Sequence, residues 1–490
     1  MRYRTWFSAL VALTLVLAAC GGDDAGTTTT AAAGEVTTTT AAAGEVTTTT
    51  AASGDTTTTG AAAGETPYTE LNQAYAGEFE GTTVEVIAQW APDGAEAVAF
   101  DLALQPFRDA TGIDVTFEPT PEYETALQVR VDGGNPPDLA QIAQPGKMQQ
   151  YADAGALVNL SEWFNVDQLE QDLVSGFVDL GSHNGNLYGV YYKTDVKSIV
   201  WYPIQAFADA GYEVPTTWDE LIALSDQIVA DGTNPWCISI ESQAADGWVA
   251  TDWMEDILLR TAPPEIYSQW YKHEIPFNHP EVLEAAEYMK QIWFTEGYAY
   301  GGPTYINSTF IGDTQDPMFD PAGPQCWMQK QAAWIPGFWG ANKDFPDDPT
   351  QWPNKPGEDV GFFYFPQIEE EFGNPVLGAA DMFVMFNDRP EVRAVLEYLA
   401  TPESSAAWIE RGGFLAANKT VPVESYTAYP DKELAALVAG ATTFGFDASD
   451  LMPADVGAGT FWTGMIEWVA ANGEGTEAIF QEIEDSWPAS

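Results

Sequence analysis

The sequence predicts an α/β protein with two domains' worth of folded chain. Three observations carry this. Segments rich in β-branched residues alternate with helical segments. Roughly 420 residues remain once a low-complexity N-terminal region is set aside. Apolar residues make up 45% of the chain, including 18 Trp, 20 Tyr and 25 Phe. The alternation argues for largely parallel sheets with helices between the strands. The aromatic content is enough for a large core, with rings left over for a binding site.

Residues 83–90 read as a buried strand, broken by Pro92 and Gly94,. A helix follows over 95–110, with Val98, Leu102 and Phe107 on one face; Pro106 would kink it, and Gly112 suits the left-handed stop after it,. Ile113, Val115 and Phe117 alternate as the next strand. A second helix is expected over 122–131, a glycine- and proline-rich turn over 133–137, a third short strand over 138–143 and a helix over 147–154. The pattern continues with extended segments at 187–192 and 198–202. Thr217 caps a helix running to Ala230. Amphipathic helices are expected over 281–294 and 390–400, and helical segments over 460–471 and 474–487,. Residues 310–324 and 341–358 read as loops.

Charge excludes several functions. The chain has 18 Lys and Arg against 73 Asp and Glu, a net charge of −55. Phosphate contacts need a basic footprint, so nucleic-acid binding is excluded. A face lying flat on anionic lipid is excluded on the same ground. Copies repel one another, so a monomer is expected. The three His (His183, His273, His279) show no metal-ligand spacing,, and no metal or cofactor is expected. The acidic stretch 344–348 reads as a surface loop, with calcium binding as the alternative.

The N-terminus carries Arg2 and Arg4, then an apolar run over 7–16, then Leu17-Ala18-Ala19-Cys20. The run falls short of the ~20 residues that span a bilayer. This arrangement resembles the signal of bacterial lipoproteins, cut before a Cys whose thiol is lipidated. The resemblance implies a signal peptide over 1–19 and lipid on Cys20, and so a protein held on the outer face of the cytoplasmic membrane. The alternative is an ordinary secretory signal with an unrelated Cys. Residues 20–67 form a stalk: Thr-Thr-Thr-Thr-Ala-Ala-Ala-Gly-Glu-Val occurs over 27–36 and again over 37–46. Without large apolar residues it cannot offset the entropy of ordering. Its clustered Thr are candidate O-glycosylation sites. Lipid on Cys20 would leave Cys237 and Cys326. In an exported protein a disulfide between them is expected, the alternative being two separate buried thiols.

An ordered series of segments carries a wider resemblance. It includes Phe107-Arg-Asp-Ala-Thr-Gly-Ile-Asp-Val115, Asn135-Pro-Pro-Asp-Leu139, Tyr151-Ala-Asp-Ala-Gly-Ala-Leu-Val-Asn-Leu160 and Pro215-Thr-Thr-Trp-Asp-Glu-Leu221. Gly247-Trp-Val-Ala-Thr-Asp-Trp253, Pro336-Gly-Phe-Trp339 and Phe461-Trp462 follow. Over 82–487 the chain resembles the family 1 extracellular solute-binding proteins of carbohydrate ABC importers, in the branch with maltose- and α-glucoside-binding proteins. The resemblance implies a type II periplasmic-binding fold, two α/β lobes hinged by crossing strands. Lobe 1 would be 82–195 plus 376–418, and lobe 2 would be 198–372 plus 424–490. Crossings would fall near 195–198, 373–379 and 416–424. Ligand would sit in the interlobe cleft, and the partners would be a carbohydrate and the importer's permease subunits.

Sugars present C–H faces that pack on rings and hydroxyls that need donors and acceptors. The ring candidates are Trp90, at the end of the first strand, Trp248 and Trp253, Trp339 after a Pro-Gly turn, and Trp462 at a helix start. Each has core packing as its alternative. The polar candidates are Glu122, Tyr123, Gln144, Lys147, Thr251, Asp252, Asp381 and Arg411; a surface role or, for Asp252, a helix cap is the alternative. Residues 141–145 (Gln-Ile-Ala-Gln-Pro) depart from the maltose-binding pattern, which leaves the sugar open. Other readings are a receptor for a non-sugar solute, a surface sensor and a cell-surface glycosidase. The glycosidase would need two carboxylates ~5–5.5 Å or ~6.5–9.5 Å apart. The resemblance is to receptors, so no enzymatic activity is expected.

Overall fold

Two mixed sheets organise the chain. The computed structural model describes residues 66–488 except 93, 121, 175 and 340–353, and gives no side-chain placement for Trp339 or Ala439. Cys20, nearly all of the stalk and the acidic stretch 344–348 lie outside the described residues. In chain order the strands are β1 (Thr83–Ala88), β2 (Asp114–Pro119), β3 (Leu139–Ile142), β4 (Ser182–His183), β5 (Asn186–Leu187), β6 (Gly189–Val196) and β7 (Ile199–Pro203). Then come β8 (Asn234–Trp236), β9 (Cys326–Lys330), β10 (Val360–Tyr364), β11 (Val376–Met385), β12 (Leu415–Ala416) and β13 (Phe444–Phe446).

The first sheet runs β12-β6-β11-β3-β1-β2, with β13 beside β11; the second runs β10-β7-β9-β8. The three strands of the early β-helix-β alternation, β2, β1 and β3, pair in parallel. β11 is antiparallel to both β3 and β6. In the second sheet β7 is antiparallel to β10 and β9, and only β8 and β9 are parallel. The expectation of largely parallel sheets therefore holds for the first three strands and for the β11–β13 and β8–β9 pairs, and fails elsewhere. The strand β11, which brings the chain back from the second sheet, runs antiparallel between β3 and β6.

The first helix lies where expected, but its buried face is turned: Leu102 is exposed and Val98 only half-buried, because Phe100 and Leu104, with Phe107, take the core side. Ala95–Thr111 buries Phe100, Leu104 and Phe107 and stops at Gly112, which has φ +69. Trp218–Ala230 opens with a full capping box between Thr217 and Glu220,. Burial follows two clusters. One gathers Val84, Phe100, Phe107, Leu139, Val190, Phe383 and Trp408 around the first sheet. The other gathers Trp236, Trp253, Met289, Trp293, Met328 and Trp468 around the second.

Two expected boundaries move. Tyr68, Leu71 and Ala74 are buried in the first cluster, and Glu397 accepts from the Leu71 amide at 2.6 Å, so ordered packing begins at Tyr68 rather than at 82. Tyr426, Leu434 and Phe446 also belong to the first cluster, whereas Ala448 and Met452 join the second. The last passage between the sheets therefore falls at Phe446-Asp447-Ala448, not at 416–424. The other two passages are Lys197-Ser198, between β6 and β7, and the segment between β10 and β11.

Cys237 and Cys326 are joined by a disulfide, with Cα atoms 5.4 Å apart. Met318 and, in part, Tyr300 and Phe319 pack against it. The bond thus tethers the 310–324 segment, which is built of short turns (Ile311–Asp313 and Asp316–Phe319). Among the described residues no helix is long and apolar enough to cross a membrane.

Candidate ligand cleft

Between the two clusters lies a cavity of about 250 Å³. Its first-sheet wall carries Gln89, Glu96, Glu122, Gln144 and Asp381; its opposite wall carries Trp248, Phe310, Ile311 and Trp462, and Trp334 packs against both cores. The polar wall is built by strand ends. Asp381 on β11 accepts from the side-chain amides of Gln141 at 2.7 Å and Gln89 at 3.4 Å. Gln141 sits on β3 beside it, and Gln89 follows β1. Burial pushes the Asp381 carboxyl up to about 7, against the pull of Lys193,.

The ring wall is built around a close approach. Gly247, with φ +105, precedes the helix Trp248–Thr261, and a Cβ there would stand 2.4 Å from the Trp462 carbonyl oxygen. Only glycine admits that contact, which sets Trp248 and Trp462 side by side at two helix starts. Trp248 lies 5.8 Å from Trp334, ring centre to ring centre, and Trp334 lies 5.4 Å from Phe338. The Trp462 ring is 5% exposed, and its indole N–H has no acceptor among the described residues.

A buried ionic cluster holds the cavity floor. Lys197, at the first passage between sheets, places its ammonium 2.7 Å from Asp252 and 2.5 Å from Asp447, and 5.2 Å from the Trp248 ring centre. Glu255 accepts from the amides of Ala448 and Ser449, fixing the last passage. Burial opposes the Lys197 charge, but Asp252 and Asp447 override it and hold its pKa well above the ordinary value. Burial also opposes the Asp447 charge, yet Lys197 keeps that carboxyl below the usual range. Asp252, Glu255 and Asp447 are close enough together to hold a cation, but Lys197 already supplies one.

The walls meet at the mouth. The Glu122 amide donates to the Gln243 side-chain carbonyl at 3.3 Å, and both residues have positive φ, +49 and +58. Left-handed backbone is costly for such side chains. Here both are held by the contact across the cleft.

The comparisons with known proteins agree with this geometry. Residues 90–406 match the model of the bacterial extracellular solute-binding protein family. The chain belongs to that family. It is 40% identical, over 81% of its length and 90% of the relative's, to an osmoprotective compounds-binding protein of Synechocystis sp.. It is 38% identical, over 84% of its length and 88% of the relative's, to an alpha-glucosides-binding periplasmic protein of Rhizobium meliloti. Among solved structures, the solute receptor AcbH superposes with a TM-score of 0.70 at 19% identity, covering 82% of this chain and 98% of the other. A chitin oligosaccharide binding protein gives 0.68 at 19%, covering 82% and 97%. These structural likenesses establish the two-lobed fold.

In this solute-binding protein the candidates divide sharply. Glu122, Tyr123, Gln144, Trp248, Asp381 and Trp462 line the cavity. Tyr123 does so with its hydroxyl donated to the Gln141 carbonyl. Trp90 lines it too, although its ring is 3% exposed and packs on Phe100, at 4.8 Å, and on Trp408, at 5.1 Å. Trp253 is a core residue, set among Trp236, Trp293 and Phe365. Thr251 donates to the Trp248 carbonyl, and Asp252 is the buried counter-ion of Lys197, neither a helix cap nor part of the cavity lining. Lys147 turns to Gln128 and Gln150 and does not line the cavity. Arg411 lines a different cavity. The Trp339 side chain lies outside the described residues.

Sequence reasoning missed Gln89, Glu96, Lys197, Gln243, Phe310 and Trp334. Trp334 stands five residues before Trp339, on the segment leaving β9, and the same Pro-Gly turn could have directed attention to it. Lys197 carried a signal too. It lies in the expected crossing 195–198, where a lysine between two buried strands needs buried acids.

Proposed function

We propose that this protein is the receptor of an ABC importer and that it captures a neutral, polyhydroxylated solute of the α-glucoside type. The observation that carries the reading is the pairing of a carboxylate and amide wall with a tryptophan wall across one cavity. Hydroxyls require acceptors and donors, and sugar C–H faces require rings. The acidic excess around Lys197 repels anionic solutes. The two relatives are named for osmoprotective compounds and for alpha-glucosides, and a neutral glucoside fits both names. Binding energy is spent on lobe closure rather than on a reaction, and the solute leaves unchanged. Lipid on Cys20 and the stalk over 20–67 hold a monomeric receptor at the outer face of the cytoplasmic membrane. This raises its effective concentration at the permease.

The test is tryptophan fluorescence of the protein titrated with a panel of neutral mono-, di- and trisaccharides. Saturable quenching by a glucoside, with the sugar recovered intact, is expected. Consumption of the sugar, or a response only to charged solutes, would sink the reading.

A further inference from the structure

The helix Trp248–Thr261 carries four charged residues, Asp252, Glu255, Asp256 and Arg260, each at most 4% exposed. They follow Trp248 at intervals of three and four, so all five share one face of the helix. Ionised groups are costly to bury, and each of these four directs a bond to a passage between the sheets. Asp252 pairs with Lys197, and Asp256 accepts from the Ser198 hydroxyl at 2.6 Å; both partners belong to the first passage. Arg260 donates to the carbonyls of Phe365, Pro366 and Pro375, at the two ends of the second. Glu255 accepts from the amides of Ala448, at 2.8 Å, and Ser449, at 3.0 Å, at the end of the third. Ser198 also joins the first passage to the second, because its hydroxyl accepts from the Leu377 amide at 2.7 Å. The third passage runs directly over the same helix: a Cβ on Gly445 would stand 2.5 Å from a Leu259 methyl carbon.

We propose that this helix is the clamp of the hinge, holding all three passages at once, so that a solute stacked on Trp248 in its first turn acts on the hinge through one rigid element. Ser198, Glu255, Asp256 and Arg260 are then positioning residues for capture, since none of them lines the cavity. Three passages with no shared element would bend separately; one helix across them makes them bend together. The inference rests on capture by lobe closure and not on the solute being a glucoside.

The experiment compares the full chain with Ser198→Ala, Glu255→Gln and a control, Ser225→Ala. Ser225 is buried on the helix Trp218–Ala230, and its hydroxyl, like that of Ser198, donates once, to the Leu221 carbonyl, and accepts once, from the Trp236 indole. Melting temperature shows which variants fold; should Glu255→Gln not fold, Ser198→Ala carries both readouts. The first readout is amide hydrogen exchange without solute. Ser198→Ala should speed exchange at Ala448 and Ser449 at least tenfold, and Glu255→Gln should do the same at Leu377, although neither change removes the acceptor of the amides read. Ser225→Ala should leave all three amides unchanged. Effects confined to the substituted passage overturn the inference, as does an equal effect of Ser225→Ala. The second readout is calorimetric titration with maltose. Both hinge variants should bind it at least fivefold more weakly, and Ser225→Ala should bind it as the unsubstituted protein does. Unchanged maltose affinity in the hinge variants also overturns the inference and leaves the glucoside reading standing. If maltose does not bind the unsubstituted protein, the glucoside reading falls and the exchange result decides the clamp by itself.

Discussion

The two walls of the cleft solve different problems. The first-sheet wall must place polar atoms to within tenths of an ångström, and it does so with strand ends that hydrogen-bond one another: the side-chain amides of Gln141 and Gln89 hold Asp381. The opposite wall must present flat area, and it uses helix starts and loop segments: Trp248, Trp462, Phe310 and Trp334. A ring tolerates a small displacement, because its contacts are many and individually weak. A hydrogen bond does not. Rigid sheet edges carry the second kind of contact, and adjustable segments carry the first.

The largest effect should come from separating the ring wall from the ring core behind it. Trp253 lies five residues after Trp248 on the same helix, yet it is 1% exposed among Trp236, Trp293 and Phe365. Trp253→Ala should cost ~3–5 kcal/mol of stability by opening a cavity. The ligand affinity of the protein that remains folded should not change. Thermal melting and fluorescence titration of the same sample check both halves; lost affinity without lost stability would place Trp253 in the wall.

Trp248→Ala should show the reverse. Loss of a central ring is worth ~2 kcal/mol or more of binding, about thirtyfold in Kd. Melting should shift little, because Trp248 is only partly buried at the edge of its core. Equal losses of affinity and stability would mean that the ring wall is only the border of the core.

Much of the fold was legible because local rules and tertiary packing agree there. The extent of the helix 95–111, the Gly112 stop and the Thr217 capping box each appear where the residues require them, although Leu102, expected on the buried face, is exposed. The order of strands was not legible: nothing local in Val376–Met385 says that it runs antiparallel beside both β3 and β6. At the site, Trp248, Asp381 and Trp462 were legible from their place beside turns and strand ends. Trp253 was misplaced because a tryptophan early in a helix looks the same in sequence whether its ring faces a cleft or, as here, packs on Trp236, Trp293 and Phe365. Lys197 was overlooked because its partners, Asp252 and Asp447, are 55 and 250 residues away.

On the polar wall a smaller effect is expected. Asp381→Asn keeps the size of the side chain but replaces one acceptor oxygen with a donor. The amide must then compete with Gln141 and Gln89 for position, and a ligand hydroxyl loses its acceptor. A loss of ~1–1.5 kcal/mol is expected, about tenfold in Kd by calorimetry. The fold should tolerate the change, because burial already favours the uncharged form of this group. Unchanged affinity would remove Asp381 from the contacts and leave the first-sheet wall resting on Glu96, Glu122 and Gln144.

The smallest effect is a dependence of stability on pH that originates in buried carboxyl groups on both sides of the cleft. Burial raises Asp381 and Asp431 to about 7 and Asp252 to about 8. In the unfolded chain these groups titrate near 4. Between about pH 4 and 8 the folded protein therefore keeps protons that the unfolded chain gives up, so stability falls as pH rises through that window. Asp447 and Asp256 are held below the ordinary value by Lys197, Arg260 and Lys330 despite burial. Their contribution is lost only as pH falls below about 4, outside the window. The melting temperature should thus be several degrees higher at pH 5.5 than at pH 8.5, and Asp381→Asn should flatten the slope by removing one of the groups that burial raises, among which Glu397 is also raised to about 8. A melting temperature that rises from pH 5.5 to 8.5 would mean that these carboxylates are already ionised in the fold. The polar wall would then meet the ligand as a set of anions, not as acids that can also donate.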